Sequence, residues 1–304
     1  MISTVLVLGA SGFIGRHLVE TLARDGHLVI AATRRQASFD HPLVENVVSN
    51  FTECTDFLPL VRRSNTIIHA ASQSTPSSSL AQPQLDGNLR TTLALIEALQ
   101  EFPDRKLLYL SSGGSLYGDS QRALDEQAPL RPRSYHAAGK IAAEFFIGAW
   151  AAQYDGTAVV MRPSNVYGPG QLPKDGFGII PTAFDRSMRS AALTVLGDGA
   201  TLRDYLYIDD LSRLCTHALA RELPRGTHVC NAASGVGLAL NALLDAIDRT
   251  TRRPLQREYR PARRVDVRHI LLDNTTASTM FGWSPEVSLD EGLRRTWQWF
   301  STRP

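Results

Sequence analysis

Short apolar runs alternate with longer amphipathic segments along the first half of the chain. The apolar runs are four or five residues long and rich in Val, Ile and Leu, a pattern typical of buried strands. In the longer segments apolar residues recur every three or four positions, which indicates helices. The alternation predicts an α/β fold built on a doubly wound parallel sheet. The predicted strands cover residues 5–8, 28–32, 44–48, 66–69, 107–110 and 158–161, and the predicted helices cover residues 15–24, 88–100 and 137–153.

The pattern changes after Pro163. Glycine and proline cluster at residues 168–170, 172–173 and 197–199, and regular strand–helix units become fewer. We therefore expect a first domain over residues 1–165 and a smaller, loop-rich region over residues 166–304 that covers the open side of the sheet. Later runs such as residues 227–231 keep a strand pattern, so we expect some of them to return to the sheet of the first domain.

Composition and charge exclude several classes of protein. The chain has 304 residues, is 43% hydrophobic and carries a net charge of +2. This balance gives no general electrostatic attraction to nucleic acid or to a membrane surface, so neither is expected as a partner. No apolar run approaches the roughly 18 residues that a membrane span needs. The three cysteines form no CxxC pair and the histidines show no metal-ligand spacing. We expect a cytoplasmic protein without a metal site.

The first predicted strand ends in a glycine-rich turn. Gly9, Gly12 and Gly15 surround Phe13 and Ile14, and an amphipathic helix follows. Glycines at this spacing permit a tight turn, close approach of the backbone to a pyrophosphate, and close packing of helix against strand. The free N–H groups at the helix N-terminus then favour the phosphates. The turn predicts a dinucleotide-binding domain.

The end of the second predicted strand indicates which dinucleotide fits. An acidic residue there binds the ribose 2′-hydroxyl of NAD, whereas arginine accommodates the 2′-phosphate of NADP. This chain has Thr33, Arg34 and Arg35 at that place, without an acid. The sequence therefore favours NADP over NAD as the cofactor.

With these motifs the sequence resembles the extended short-chain dehydrogenase/reductases. Within that family it is similar to the nucleotide-sugar epimerase/dehydratase branch, the branch of the UDP-glucose 4-epimerase-like proteins. The matching blocks follow the family's order along nearly the whole chain. They are Gly9/Gly12/Gly15, His69-Ala70-Ala71, Asn88, residues 111–118, 140–144 and 162–170, Gly197-Asp198-Gly199, Arg203-Asp204-Tyr205, Asp209-Asp210, Arg263 with Asp266, Asp273, and Gly282-Trp283.

The resemblance implies a Rossmann-type fold, a small C-terminal substrate-binding region, and a set of residues that hold the cofactor. By this resemblance the cofactor-binding residues are Gly9, Gly12, Phe13, Ile14, Gly15, Thr33, Arg34, Arg35, Asn50, Phe51, Ala70, Ala71, Lys140 and Pro163.

The resemblance also implies a catalytic tyrosine and lysine that act with a serine or threonine. A phenol whose pKa is lowered by a nearby ammonium can take the proton of a sugar hydroxyl as hydride leaves. In the family the tyrosine stands four residues before the lysine, whereas here Tyr135 stands five before Lys140 and His136 stands four before it. On a regular helix a separation of four places two residues about 40° apart, and a separation of five about 140° apart.

Two alternatives follow for the residue that exchanges the proton. Tyr135 serves if an irregular or π-bulged turn restores its direction, and Ser134, which fits the family's entry to the helix, favours this alternative. Otherwise His136 serves, since an imidazole titrates near neutral pH.

The hydroxyl partner is also displaced. The family commonly has Ser or Thr four residues before the tyrosine of its Tyr-Gly pair, and that position here is Gly113. Ser112 or Ser115 would have to serve. Dehydratases of the family carry an Asp-Glu pair in this segment, where this chain has glycines, so dehydration is disfavoured.

For the substrate, the resemblance implies that Asn165 faces the sugar and that Arg203 and Arg263 bind the diphosphate. Guanidinium groups suit phosphate oxygens because they donate two parallel hydrogen bonds. We therefore expect a nucleotide-diphosphate sugar as the partner. The sequence leaves the oligomeric state open, and the resemblance implies a homodimer as one possibility, because many members of the family pair through two long helices, here residues 88–100 and 137–153.

The sequence leads to one main hypothesis and two alternatives. The main hypothesis is an NAD(P)-dependent nucleotide-sugar 4-epimerase, which oxidises C4 of the sugar transiently and reduces it from the other face. The first alternative is an NADPH-dependent reductase of 4-keto nucleotide sugars, which Arg34 and Arg35 would suit. The second is a non-catalytic NADP-binding regulator or partner protein, motivated by the displaced tyrosine and the missing serine.

Overall fold

Helices and strands alternate along the chain in the structure, a computed structural model that describes residues 2–74, 80–174, 176–263 and 267–303. The strands are β1 Thr4–Leu8, β2 Leu28–Thr33, β3 Val44–Val48, β4 Thr66–His69, β5 Lys106–Leu110, β6 Thr157–Pro163, β7 Asn165–Tyr167, β8 Leu193–Leu196, β9 Leu202–Tyr207, β10 Gly226–Ala232, β11 Gly237–Ala239 and β12 Arg257–Arg260. The helices are α1 Phe13–Arg24, α2 Cys54–Arg63, α3 Gln82–Gln84, α4 Arg90–Gln100, α5 Gly113–Leu116, α6 Tyr135–Gln153, α7 Ile179–Met188, α8 Ile208–Ala220, α9 Leu240–Thr251, α10 Thr275–Phe281 and α11 Leu289–Ser301, and a π-helical turn at Leu85–Leu89 joins α3 to α4.

Seven strands form the main sheet, in the order β10-β6-β5-β4-β1-β2-β3. The strands from β6 to β3 pair in parallel with their neighbours. Helices α2, α4 and α6 cover one face with apolar side chains that include Phe57, Leu95 and Trp150. The buried strands are short apolar runs because a parallel sheet carries helices on both faces. The predicted doubly wound, Rossmann-type α/β fold is confirmed.

The order of the strands reverses between β1 and β4. The chain runs from β1 outward to β3 on one side, and from β4 outward to β6 on the other. Crossover connections therefore leave β1 and β4 in opposite directions, which opens a crevice beyond their carboxyl ends. Because parallel strands end at the same edge, Leu8, Thr33, His69 and Leu110 bring the loops that follow them to this edge.

The chain divides into two compact units. The first contains the residues up to Ser112 with Tyr135–Arg162 and Ser212–Cys230, and the second contains Gly113–Ser134, Pro163–Leu211 and the residues from Asn231 onward. The assignment of residues 1–165 to the cofactor and of residues 166–304 mainly to the substrate stays a prediction. Within the described ranges, no helix is long and apolar enough to cross a membrane.

The second unit is organised around a buried carboxylate, that of Asp204. Its oxygens accept hydrogen bonds from Ser164 Oγ at 2.7 Å and from the backbone N–H groups of Ser234 and Gly235 at 2.9 and 2.8 Å. Burial nevertheless raises the pKa of Asp204. A three-stranded sheet β11-β9-β7 and the parallel pair β8–β12 complete the β-structure described for this unit.

A buried ion pair ties α6 to the main sheet in the first unit. Arg162 on β6 donates from Nη2 to Glu144 Oε2 at 2.7 Å, and from Nε to both carboxylate oxygens at 3.2 and 3.3 Å. The side chains are only 6% and 8% exposed. Ser111, which follows β5, donates a further hydrogen bond to Glu144 Oε1. Removing one partner would leave the other charge buried and unpaired, which is costly.

We therefore expect Glu144→Ala to lower the free energy of unfolding by about 3–5 kcal/mol. The measurement is urea unfolding followed by circular dichroism. Glu45→Ala is the matched control, because Glu45 pairs with Arg63 on the surface, where both side chains are about half exposed. The control should cost less than about 1 kcal/mol. Equal losses in the two variants would contradict a structural role for the buried pair.

Candidate active site

The glycine turn after β1 is shaped by close backbone contacts. Gly9 has φ +85°. A Cβ at this position would lie 2.7 Å from the backbone of Ala71, which stands two residues after the end of β4. A Cβ at Gly15 would lie 2.1 Å from the carbonyl oxygen of Gly9. Side chains at these two positions would push apart the turn, the start of α1 and the segment Ala70–Ala71.

The N-terminus of α1 is open. Its N-cap residue is Gly12, which supplies no side-chain cap, and the first turn contains no acidic residue. A Cβ at Gly12 would come within 4 Å of only one described atom, the Gly9 carbonyl oxygen at 3.3 Å. The backbone N–H groups of the first turn, where Phe13 and Ile14 lie, are thus available to an anion. This arrangement fits the pyrophosphate of a dinucleotide.

The end of β2 presents two exposed arginines, Arg34 and Arg35. The preceding Thr33 is buried, and its Oγ1 accepts a hydrogen bond from Asn46 Nδ2 at 2.9 Å. Asn46 Oδ1 in turn accepts from the backbone N–H of Ala37 at 3.2 Å, so it fixes the loop that carries both arginines. This loop fits an adenosine ribose that bears a phosphate.

The remaining predicted cofactor residues also lie at the carboxyl edge of the main sheet. Phe51 is buried against Phe57, with ring centroids 5.3 Å apart, and has φ +57°, so the chain turns sharply after Asn50. Pro163 is the last residue of β6. These placements are compatible with contacts to a dinucleotide, and the individual roles stay predictions.

Lys140 is a buried cation at the end of β5. Its Nζ donates to the carbonyl oxygen of Leu110 at 2.8 Å and lies 4.7 Å from the centre of the Tyr109 ring. Burial lowers the pKa of Lys140 to about 8, and the carboxylate of Glu144, one turn further along α6, opposes this shift. An ammonium in this position suits the hydroxyl groups of a cofactor ribose.

The structure places His136, and not Tyr135, on the buried face of α6 with Lys140. Helix α6 is α-helical from Tyr135 through Gln153, without the bulged turn that would reorient Tyr135. The Tyr135 side chain is 51% exposed, whereas His136 is 7% exposed. His136 Nδ1 lies 2.9 Å from Ser74 Oγ. Burial and the nearby Lys140 ammonium lower the pKa of His136 to about 4.

The predicted hydroxyl partners occupy different places. Ser112 is partly buried after β5, where its neighbour Ser111 binds Glu144, and Ser115 is partly buried in the short helix α5 of the second unit. Gly113, which stands where the family commonly has a hydroxyl, is buried. The roles of Ser112 and Ser115 stay predictions.

The predicted substrate residues belong to the second unit. Asn165 Nδ2 donates to the carbonyl oxygen of Asp204 at 2.9 Å, and the Asn165 amide lies 3.7 Å from the point that a Cβ on Gly114 would occupy. The Arg203 guanidinium donates to the carbonyl oxygens of Leu202, Val267 and Arg268. Arg263 is exposed, and Asp266 lies outside the described residues.

A buried polar cluster was not among the sequence predictions. Ser74, Gln84 and Asn88 contact one another and His136. In the sequence Asn88 stands out only as part of the resemblance to the family, and no motif marks Ser74 or Gln84. The available signal was two polar residues, Gln84 and Asn88, at helical spacing with Gly87 between them.

Comparisons with known proteins show which family and which enzymes this chain is similar to. The model of the NAD-dependent epimerase/dehydratase family matches residues 5–233. A UDP-glucose 4-epimerase of Mycolicibacterium smegmatis is 31% identical over 98% of each chain. The structure of UDP-glucose 4-epimerase from Thermotoga maritima with UDP-glucose has a TM-score of 0.90, with 29% identity over 98% of each chain. The Thermus thermophilus UDP-glucose 4-epimerase in complex with NAD has a TM-score of 0.89, with 28% identity over 98% of this chain and 99% of that chain.

The two buried histidines of the first unit predict a loss of stability in acid. Burial and the Lys140 ammonium lower the pKa of His69 to about 3 and that of His136 to about 4, from 6.5. Below pH 6.5 the two imidazoles bind protons in the unfolded chain but remain unprotonated in the folded chain. The free energy of unfolding is therefore highest above pH 6.5 and falls as the pH drops toward 4. Between pH 6.5 and pH 5 each histidine should lower the free energy of unfolding by about 2 kcal/mol.

The measurement is urea unfolding of the wild type and of His136→Gln at pH 7.0, 6.0 and 5.0. The variant should lose less stability in acid than the wild type, because one of the two buried imidazoles is gone. The same pH dependence in both proteins would contradict a buried, neutral His136.

Proposed function

The chain belongs to the NAD-dependent epimerase/dehydratase family, and we propose that it is a nucleotide-sugar 4-epimerase. The predicted family is confirmed by the family model and by the relatives. The observation that carries the proposal is similarity to UDP-glucose 4-epimerases over nearly the entire chain, together with an open helix N-terminus at the glycine turn. The same similarity to enzymes leaves the non-catalytic alternative without support.

The cofactor in the proposal is a nicotinamide dinucleotide. The glycine turn with Phe13 and Ile14 would hold the pyrophosphate, and Lys140 would bind the ribose next to the nicotinamide. When bound, the nicotinamide would accept hydride from C4 of the sugar and return it to the opposite face. The protein's own residues would bind the two ligands, orient the sugar and move the proton of its C4 hydroxyl.

The substrate in the proposal is a nucleotide-diphosphate hexose. Asn165 and Arg263 of the second unit would bind it. Arg203 lies near the start of β9, the strand next to β7, which begins at Asn165. Arg203 already donates to three carbonyl oxygens through Nη1 and Nη2. A role at a diphosphate would need guanidinium N–H groups that these three bonds do not use. We also propose that the enzyme works in the cytoplasm as a homodimer paired through residues 88–100 and 137–153.

One observation favours a second candidate, a reductase of 4-keto nucleotide sugars. Arg34 and Arg35 stand where NADP would place its 2′-phosphate, and NADPH is the usual reductant for net reduction. The related Thermus structure contains NAD, and both dinucleotides remain within the proposal. The identity of the cofactor therefore separates the two candidates.

The first test identifies the cofactor and the reaction together. The freshly purified protein is denatured, and any released dinucleotide is identified by mass spectrometry. The protein is then incubated with UDP- and dTDP-hexoses, and we expect interconversion of C4 epimers without net use of dinucleotide. Net oxidation of NADPH by a 4-keto nucleotide sugar, without epimerisation, would establish the reductase. Binding of neither dinucleotide would overturn both candidates.

A second test addresses the arginines. The double variant Arg34→Ser/Arg35→Ser should weaken NADP binding about tenfold or more, since charge-assisted hydrogen bonds to a phosphate are lost. NAD binding should change much less, because NAD has no phosphate at that place. Binding is measured by calorimetry, with the exposed Arg24→Ser at the end of α1 as a control. Equal weakening of both dinucleotides would remove the case for NADP.

A further inference from the structure

Four buried polar side chains form one hydrogen-bonded cluster in the first unit. They are Ser74, Gln84, Asn88 and His136 itself, here called the Asn88 cluster, and each is less than a tenth exposed. Each hydrogen bond needs one donor and one acceptor, so the direction of the bonds that join these four side chains can be worked out from the atoms that contact one another. The result assigns the proton positions on the His136 ring.

An irregular turn brings Asn88 into the cluster. The chain between α3 and α4 forms a π-helical turn at Leu85–Leu89, an uncommon form that is frequent at functional sites. A Cβ at Gly87 would lie 2.8 Å from the Cβ of Gln73, so glycine lets the segment Gln73–Ser74 approach the turn. The turn therefore places the Asn88 amide against the backbone of Gln73.

A backbone N–H group fixes the orientation of the Asn88 amide. The N–H of Gln73 lies 2.8 Å from Asn88 Oδ1 and can only donate. Asn88 Nδ2 is therefore the donor end, and it lies 2.8 Å from Ser74 Oγ and 3.0 Å from Gln84 Oε1. The atom of Gln84 that faces Asn88 Nδ2 must accept, so the Gln84 amide is fixed as well.

The Ser74 hydroxyl donates its single proton to a hydrogen bond with Gln84 Oε1. Ser74 Oγ and Gln84 Oε1 are 2.6 Å apart, and two oxygens at this distance repel unless a proton lies between them. Gln84 Oε1 has none to give, so Ser74 donates. Ser74 Oγ then accepts the hydrogen bond from Asn88 with one lone pair and has one lone pair left.

His136 must therefore donate to Ser74. The distance between His136 Nδ1 and Ser74 Oγ is 2.9 Å, and since the serine proton is used elsewhere, the proton of this bond sits on Nδ1. A neutral imidazole with a proton on Nδ1 has an unprotonated Nε2. Within residues 2–74, 80–174, 176–263 and 267–303, no group forms a hydrogen bond with Nε2, so in this part of the chain its lone pair is available to a ligand.

We propose that His136 Nε2 exchanges the proton of the substrate hydroxyl, and that Ser74, Gln84 and Asn88 are positioning residues that fix its tautomer. The proposal rests on the proposed function. In the oxidative direction the O–H proton passes to Nε2 while the hydrogen on the same carbon leaves as hydride to the nicotinamide. In the reductive direction hydride returns to the carbon and Nε2 returns the proton to the oxygen, so the imidazole is regenerated.

Two further observations support His136 in this role. It stands four residues before Lys140 on a regular helix, on the same buried face, whereas Tyr135 is half exposed on another face. In addition, burial and the Lys140 ammonium lower the pKa of His136, so the ring remains neutral at neutral pH and an imidazolium formed there readily gives up its proton.

The first test reads the tautomer directly. Protein labelled with 15N-histidine is examined by two-bond 1H–15N correlation spectra at neutral pH, and the His136 signal is assigned by its loss in His136→Gln. We expect the proton on Nδ1. His69 serves as an internal reference, because its proton is expected on Nε2. Thr92 Oγ1 donates its own proton to the Asn88 carbonyl oxygen, so it accepts the hydrogen bond from His69 Nε2. A His136 ring protonated on Nε2 would overturn the proposal.

A second arm tests the positioning residues. Ser74→Ala should shift the His136 signal toward a mixture of tautomers and lower kcat, with dinucleotide affinity within about threefold of the wild type. Ser74→Thr, which keeps the hydroxyl, should restore both. A purely structural serine would change the stability of the protein without moving the tautomer signal, and that result would remove Ser74 from the proposal.

A third arm measures turnover. His136→Gln should lower kcat about 10²–10⁴-fold with dinucleotide binding retained, and His136→Tyr, which restores a tyrosine four residues before Lys140, should recover part of the loss. A loss of this size in Tyr135→Phe, with turnover retained in His136→Gln, would overturn the proposal. If the wild type neither epimerises nor reduces any nucleotide sugar, the proposed function fails, and the tautomer spectra still decide the assignment of the protons.

Discussion

The contact between Gly9 and the backbone of Ala71 is the constraint on which the site depends. It joins the carboxyl ends of β1 and β4, the two neighbouring strands whose crossovers leave in opposite directions. Without a Cβ, the turn after β1 stays close to the sheet, and Gly15 lets α1 begin directly against that turn. The open helix N-terminus at Gly12 follows from this packing. A pyrophosphate can therefore approach the backbone at the edge where the loops after β1, β2, β4 and β5 meet.

Lys140 imposes a second constraint, of charge. Its ammonium is buried against the Leu110 carbonyl and the Tyr109 ring, and the ion pair of Glu144 with Arg162 secures the next turn of α6. Burial, and next to it the positive charge of Lys140, lower the pKa of His136, so His136 stays neutral in the folded chain. The charge that would suit a cofactor ribose thus also helps to keep the adjacent imidazole unprotonated at neutral pH.

Much of the fold was predictable from local patterns. The six predicted strands match β1 to β6 within a few residues, because apolar runs in a parallel sheet are buried on both faces. The π-helical turn was not predicted, and residues 88–100 read as one regular helix. One extra residue in a helical turn leaves the hydrophobic period almost unchanged, and the close approach of Gln73 to Gly87 involves a residue outside the helical segment.

The strands, the glycine turn and the angular relation of Tyr135 and His136 to Lys140 are readable from the sequence, because each depends on residues close together in the chain. The family is readable as well, because its motifs follow one another in order along nearly the whole chain. Only the tertiary structure decided which face of α6 is buried, that Arg203 donates to carbonyl oxygens of residues 267 and 268, and that Ser74, Gln84 and Asn88 surround His136. These contacts join residues far apart in sequence. A hydrogen bond depends on the position of its partner in space, which no periodicity along one segment specifies.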